Sequence, residues 1–188
     1  LTMYQWGKMY FTMAAEKPSF VSFAPVACED VPPQSPIEIP SFTTETWNGI
    51  RILNRNVEVM PNATLIIHCQ VRMAKDLVFI VHRGGRLFVE GGSITAQSAD
   101  CRWGGILVHG NNTKEQPSTV QAKDLNEPTD PNKAGIVWLN GAIIENAITG
   151  ISTSGSGAMG TESYHGGLVM VNSSDFVNCN RAIEFLRY

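Results

Sequence analysis

The sequence predicts an all-β fold, a right-handed parallel β-helix (a solenoid) with coils of about 22 residues and loop insertions. Three observations predict it. Short apolar runs are separated by Gly, Asn or Pro, related runs recur in register, and one repeat aligns without gaps. We place an irregular, Pro-rich N-terminal extension at residues 1–43 and the β-helix at residues 44–188.

The first repeat relates "VEVMPNATLIIHC" (57–69) to "FIVHRGGRLFVEGG" (79–92) at an offset of about 22 residues. The offset pairs Val57 with Phe79, Val59 with Val81, Leu65 with Leu87, and Ile67 with Val89. A unit of this size is too short for a strand–helix–strand crossover. It suits a coil of short strands that buries its apolar side against the next coil.

The second repeat relates residues 135–151 to residues 167–183 without a gap, at an offset of about 32 residues. Residues 152–163, "STSGSGAMGTES", are interpreted as an inserted loop. The alignment pairs Asn146 with Asn178, which predicts an asparagine ladder at one corner of successive coils. A third match places residues 105–111 on residues 135–141, again with a polar loop between them.

A hairpin-rich β-sandwich is the main alternative fold. It should show two-residue Asn-Gly or Asp-Gly turns between neighbouring strands. Only Asn48-Gly49 and Asn140-Gly141 have this form, so the repeats favour the β-helix.

Composition narrows the range of partners. Charged residues make up 16% of the 188 residues and the net charge is −3, so no nucleic-acid partner is expected. No apolar run approaches the roughly 18 residues of a membrane-spanning helix, so no transmembrane segment is predicted. A low charged share is typical of secreted β proteins.

The two ends of the chain suggest a piece of a larger protein. Residues 1–40 are rich in proline and begin with aromatics, and we expect them to pack along the body or dock on a partner. "RAIEFLRY" stops inside a strand-like run, which suggests a β-helix truncated at its C-terminal end. An open last coil exposes strand edges, so we expect aggregation or stabilisation by further chain or a partner.

Four cysteines occur, Cys28, Cys69, Cys101 and Cys179, with no C-x-x-C pair. This spacing argues against a zinc or thioredoxin-like site. It allows a disulfide in an oxidising compartment, and equally small buried thiols. Neither a metal nor a cofactor is predicted.

Four motifs carry a family resemblance: P-x-A-T-L at 61–65, G-x-L-x-V-x-G-G-x-I-T at 85–95, W-x-G-I-x-V-x-G at 103–110, and A-x-I-E-N-A-x-x-G-I at 142–151. Together they resemble β-helical segments of large secreted proteins of Bacteroidetes, with a fold like that of pectate lyases. The resemblance covers about residues 44–188. It implies a secreted or cell-surface, outer membrane-associated protein, often a cargo of type IX secretion. Residues 1–40 would then contact secretion-machinery or surface proteins.

Two functions remain open. The first is an extended structural, adhesive or binding scaffold, with glycans among its candidate ligands. The second is a polysaccharide-degrading lyase or glycoside hydrolase whose active site is partly outside this chain. A hydrolase needs two or more carboxylates converging on one groove. The acids Glu90, Asp100, Glu145 and Asp175 show no such convergence in the pattern, which favours a non-enzymatic protein.

No catalytic residue is assigned, and the candidates that come nearest are His68, Glu90 and Glu145. His68 and Glu90 fall on neighbouring coils and point outward, which suits a cross-strand pair better than an acid–base pair.

Other side chains are interpreted as structural. Asp124, Glu127 and Asp130 read as solvated loop charges rather than a cation site, and His109 and His165 lie beside corner glycines. Trp47 and Trp103, in "WNGI" and "WGGI", could pack on the previous coil or stack on sugars, and packing is favoured.

Overall fold

Within the described residues there are sixteen short strands, and every third strand along the chain joins the same one of three parallel sheets. The computed structural model describes residues 28, 32–111, 113–125, 130, 133–153 and 165–185. In chain order the elements are β1 (Ile37–Ile39), β2 (Thr44–Trp47), β3 (Arg51–Leu53), β4 (Val57–Val59), β5 (Thr64–Ile67), β6 (Gln70–Met73), β7 (Val78–Val81), β8 (Arg86–Glu90), β9 (Ser93–Ala96), β10 (Trp103–Val108), α1 (Thr119–Lys123), β11 (Ile136–Asn140), β12 (Ile143–Glu145), β13 (Ala147–Ser152), β14 (Leu168–Asn172), β15 (Asp175–Val177) and β16 (Arg181–Glu184).

Within each of the three sheets, successive strands lie parallel to one another, as in a parallel β-helix or solenoid. The first sheet has the order β1-β4-β7-β10-β13-β16, the second β2-β5-β8-β11-β14, and the third β3-β6-β9-β12-β15. We call three successive strands, one from each sheet, a coil. The predicted all-β class with parallel stacking is confirmed.

Strand pairing reproduces both predicted repeats. Val57 lies opposite Phe79 in the first sheet, and Leu65 lies opposite Leu87 in the second. The gapless repeat pairs Val137 with Val169. Because main-chain hydrogen bonds lock each strand to the coil before it, residues at equivalent positions lie side by side.

The third predicted alignment is wrong. Residues 105–108 belong to β10 in the first sheet, where they pair with β7. Residues 136–140 form β11 in the second sheet, where they pair with β8. Strands of different sheets share the same alternation of apolar residues after a glycine, so this short match carried no information about the sheet.

Strand pairing also begins before the expected boundary at residue 44. β1 pairs in register with β4, and Ile39 is fully buried. Ile37 and Ile39 alternate with Glu38 between two prolines, which is a strand pattern within the stretch we interpreted as a linker. Most of residues 1–40, to which a docking role was assigned, lie outside the described residues.

Aromatic packing fills the centre of the early coils. The ring of Phe79 lies 6.3 Å from that of Trp47 and 6.2 Å from that of Trp103. Both tryptophans are buried, with at most 1% of their surface exposed. Packing is confirmed, on the previous coil for Trp103 but on a later coil for Trp47, and these rings offer no face on which a sugar could stack. They belong to different sheets, so their shared sequence form does not mark an equivalent position.

A loop insertion between β10 and β11 folds over the outside of the second sheet. Its short helix α1 begins at a capping box in which Ser118 and Gln121 bond each other. Ala122 packs against Phe88, and the Lys123 ammonium lies 3.7 Å from the centre of the Trp138 ring. The insertion is therefore fastened to the solenoid by apolar and cation–π contacts.

The cysteines satisfy both possibilities that the sequence left open. Cys28 and Cys101 form a disulfide, while Cys69 is a buried free thiol and Cys179 a half-buried one. Cys28 is the earliest described residue, and its bond ties this part of the chain to a solenoid corner. Among the described residues, none of the helices has the length and apolar character to span a membrane.

We expect Leu87→Ala to lower the free energy of unfolding by about 2–5 kcal/mol, because Leu87 is fully buried and its truncation leaves a cavity. Urea denaturation measures the loss. Leu125→Ala is the matched control, since Leu125 is half-exposed in the loop insertion and its truncation should cost less than about 1 kcal/mol. Equal losses in the two variants would contradict the inward ladder.

Candidate functional site

The predicted pair His68 and Glu90 is adjacent but not joined side chain to side chain. Nδ1 of His68 lies 3.1 Å from the main-chain carbonyl oxygen of Glu90. His68 is exposed at the end of the second sheet. The contact links two successive coils through the backbone and leaves no imidazole–carboxylate pair at this position.

Glu145 lies on a different sheet from Glu90, so the structure does not bring the candidate acids together. Its carboxylate accepts a hydrogen bond from the Thr95 hydroxyl at 3.1 Å. Asp175 lies on the neighbouring strand opposite Ile143 rather than opposite Glu145, as the repeat predicted. Asp100 is exposed at a corner. These four acids therefore provide no converging pair.

The predicted asparagine ladder is present and is part of a longer network. Nδ2 of Asn178 donates to Oδ1 of Asn146 at 2.5 Å, and Nδ2 of Asn146 donates to the Thr95 hydroxyl at 3.2 Å. Both asparagines adopt positive φ, 51° and 57° respectively. Asparagine tolerates this left-handed conformation, so it can turn the corner and bond the neighbouring coils at once.

A second histidine group was not predicted. Nε2 of His82 lies 2.9 Å from a carboxylate oxygen of Glu58, and the His82 ring meets the His109 ring edge to face at 5.1 Å. The Arg83 side chain donates to the main-chain carbonyl of Gly110 at 2.7 Å. We call Glu58, His82 and His109 the histidine corner. It joins three successive coils at the end of the first sheet.

The sequence did contain a signal for the histidine corner. The dipeptide Val-His occurs at 81–82 and again at 108–109, each time where a strand of the first sheet ends. Val81 and Val108 are register partners, which places the two histidines side by side. Recognising the pair required knowing that both strands belong to the same sheet.

His109 is held in its neutral form. Burial, followed by the nearby His82 and Arg83, lowers the pKa of His109 to about 4. Burial also raises the pKa of the Cys69 and Cys179 thiols, so neither is a ready thiolate nucleophile. The histidine corner thus offers one carboxylate and one imidazole in contact, beside a neutral ring.

This arrangement places the His82 ring in hydrogen-bonding contact with the Glu58 carboxylate, but it lacks the second carboxylate of a glycosidase. In the described ranges, no three His, Cys, Asp or Glu side chains are grouped so as to hold a metal ion. Asp124 and Asp130 lie in the loop insertion. Glu127 falls outside the described ranges.

Comparison of the chain with protein families, with characterised proteins and with solved structures finds no match in any of the three.

The asparagine ladder predicts a graded effect of substitution. We expect Asn146→Ala to lower the free energy of unfolding by about 2–4 kcal/mol, because it loses two side-chain hydrogen bonds and places alanine at positive φ. Asn146→Gly should cost less, by about 1 kcal/mol, because glycine adopts this φ without strain. Chemical denaturation measures both. Equal effects would mean that backbone strain does not contribute.

The buried histidine predicts a pH-dependent stability. The pKa of His109 is lowered on folding, so the unfolded state binds more protons as the pH falls from about 6.5 towards 4, and stability is lost in this window. We expect His109→Asn to remove about 2 kcal/mol of the fall in stability between pH 7 and pH 5. Denaturation at each pH measures it.

The His109 ring resonances give a direct control, because their NMR titration midpoint should lie near pH 4. The difference between wild type and variant at pH 7.5 reports the packing change alone. A ring that titrates above pH 6 would contradict the burial argument.

Proposed function

We propose that this chain is the coil-forming part of a secreted or cell-surface β-helix protein that serves as an extended adhesive or binding scaffold. One observation carries the proposal. The polar side chains that could act as acids, bases or ligands instead join neighbouring coils. Asn146, Thr95 and Glu145 do so in one network, and Glu58 and His82 in another. A chain that uses these groups to hold its coils together forms an extended and rigid stack.

The finer geometry of the solenoid is part of the proposal. The connection between two parallel strands of one sheet is right-handed in nearly all proteins, and this supports a right-handed coil. For coils without insertions, a length of about 22 residues is supported by the register, which pairs Val57 with Phe79 and Thr64 with Arg86. Longer coils arise where insertions follow β10 and β13, both between the first and second sheets.

A location outside the cytoplasm is supported by the Cys28–Cys101 disulfide. Disulfides persist in oxidising compartments and are reduced in most cytosols. The proposal therefore includes an outer membrane-associated or secreted location, in keeping with the resemblance to type IX secretion cargo of Bacteroidetes. Surface proteins and glycans are the proposed partners.

The scaffold is favoured over a polysaccharide-degrading enzyme by where the candidate groups lie. Glu90 and Glu145 are on different sheets, so they cannot flank one glycosidic bond from a shared sheet face. Trp47 and Trp103 are buried, which removes them as sugar platforms. These positions favour a scaffold without cleavage, and any glycan would have to bind through other surface groups.

The experiment offers pectins, alginates and host glycans to the full-length protein and measures binding and new chain ends in the same samples. We expect binding without turnover, and Glu90→Gln and Glu145→Gln to behave as wild type. In parallel, protease treatment of intact native cells should degrade the protein, and thiol titration should find Cys28 and Cys101 oxidised.

Two results would overturn the proposal. Turnover that disappears in Glu90→Gln or Glu145→Gln would make the protein an enzyme. Protection from protease in intact cells, with all four cysteines reduced, would place it in the cytoplasm.

A further inference from the structure

Two Asn-Gly dipeptides occur in the chain, Asn48-Gly49 and Asn140-Gly141, and both lie at the corner between the second and third sheets. Asn48 follows β2 and Asn140 ends β11, and the strand register places the two asparagines at equivalent positions of different coils. The same dipeptide therefore stands twice at the same place in the coil. The two sites differ in their hydrogen bonds.

An Asn-Gly sequence has a reaction of its own. The glycine nitrogen attacks the side-chain amide carbon of the asparagine and closes a five-membered succinimide ring. The side-chain nitrogen leaves as ammonia, together with the proton that the glycine nitrogen gives up. Water then opens the ring at either carbonyl, which gives aspartate or isoaspartate. Glycine favours ring closure because it has no side chain to hinder its nitrogen and restrict its backbone.

Asn48-Gly49 meets the conditions for this reaction. Both residues are exposed, so the water that opens the ring has access to the site. Among the described residues, neither the Asn48 side chain nor the Gly49 amide takes part in a hydrogen bond. The side chain can therefore turn its amide carbon onto the Gly49 nitrogen without breaking a bond first.

Asn140-Gly141 is held at both of its reacting groups. Nδ2 of Asn172 donates to Oδ1 of Asn140 at 2.8 Å, and the Gly141 amide donates to the main-chain carbonyl of Asn172 at 3.0 Å. Ring closure needs the Asn140 side chain to turn and the Gly141 nitrogen to lose its proton, so both bonds must open. Opening two hydrogen bonds first slows the reaction about tenfold or more.

We propose that Asn48 is a modification site, at which the folded protein converts asparagine to aspartate and isoaspartate, while the next coil protects Asn140. Water is the only co-reactant. The product adds a negative charge at the end of β2, in register with His68 of the neighbouring coil. In isoaspartate the main chain runs through the side-chain carbon, which lengthens the connection between β2 and β3. This inference does not depend on the proposed location or ligand.

Peptide mapping by mass spectrometry measures the conversion at both sites in one sample, after incubation for several days at physiological pH and temperature. We expect the Asn48 peptide to gain the mass difference between an amide and an acid about tenfold or more faster than the Asn140 peptide. Enzymatic methyl transfer to isoaspartate should label the Asn48 peptide. In urea the protecting bonds are lost, so the two rates should become similar.

Two variants separate the effect of sequence from that of structure. Gly49→Ala should slow the conversion of Asn48 severalfold, because the methyl group hinders the attacking nitrogen. The fold accepts this change, since an added Cβ at Gly49 meets nothing within 4 Å and its φ is not left-handed. Asn172→Ala removes the side-chain bond to Asn140, and should speed conversion at Asn140 severalfold while Asn48 reacts as before.

Three results would overturn the proposal. The first is an Asn48 that stays unchanged in the folded protein, whatever the sample in urea shows. The second is an equal rate at Asn48 and Asn140 in the folded protein, because hydrogen bonding would then not decide between them. The third is a conversion of Asn48 that Gly49→Ala leaves as fast as before, which would indicate direct hydrolysis instead of ring closure.

Discussion

In-register parallel pairing of each strand with the strand one coil earlier is the constraint on which the rest of this structure depends. It satisfies the main-chain groups and at the same time places equivalent side chains about 4.8 Å apart. Aliphatic residues such as Leu65 and Leu87 then form ladders inside the solenoid. The same spacing brings Asn146 against Asn178 at a corner. Core and corner are thus two results of one geometry.

The register also explains why the side chains that were candidates for a reaction make contacts between coils. Glu58, His82 and His109 occupy three successive coils of the first sheet, so their contacts bind the coils to one another. Thr95 and Glu145 do the same between two strands of the third sheet. These side chains hold neighbouring coils together, which supports the proposed scaffold.

A solenoid gains its interactions along one direction, so its variation is confined to corners and ends. The loop insertions leave at corners, where added residues do not disturb pairing, and the helix α1 returns to cover the second sheet. In the coil of β1, β2 and β3, Glu45 and Arg51 both contact the buried ring of Trp47.

The sequence by itself determined the strand class, the register of the two long repeats and the asparagine ladder, because period-two alternation and recurring corners are local patterns. Only the tertiary structure decided that β10 belongs to the first sheet, that His82 meets Glu58, and that Cys28 joins Cys101. These contacts depend on how far the chain turns at each corner. That rotation arises from packing between coils, and no short stretch of sequence encodes it.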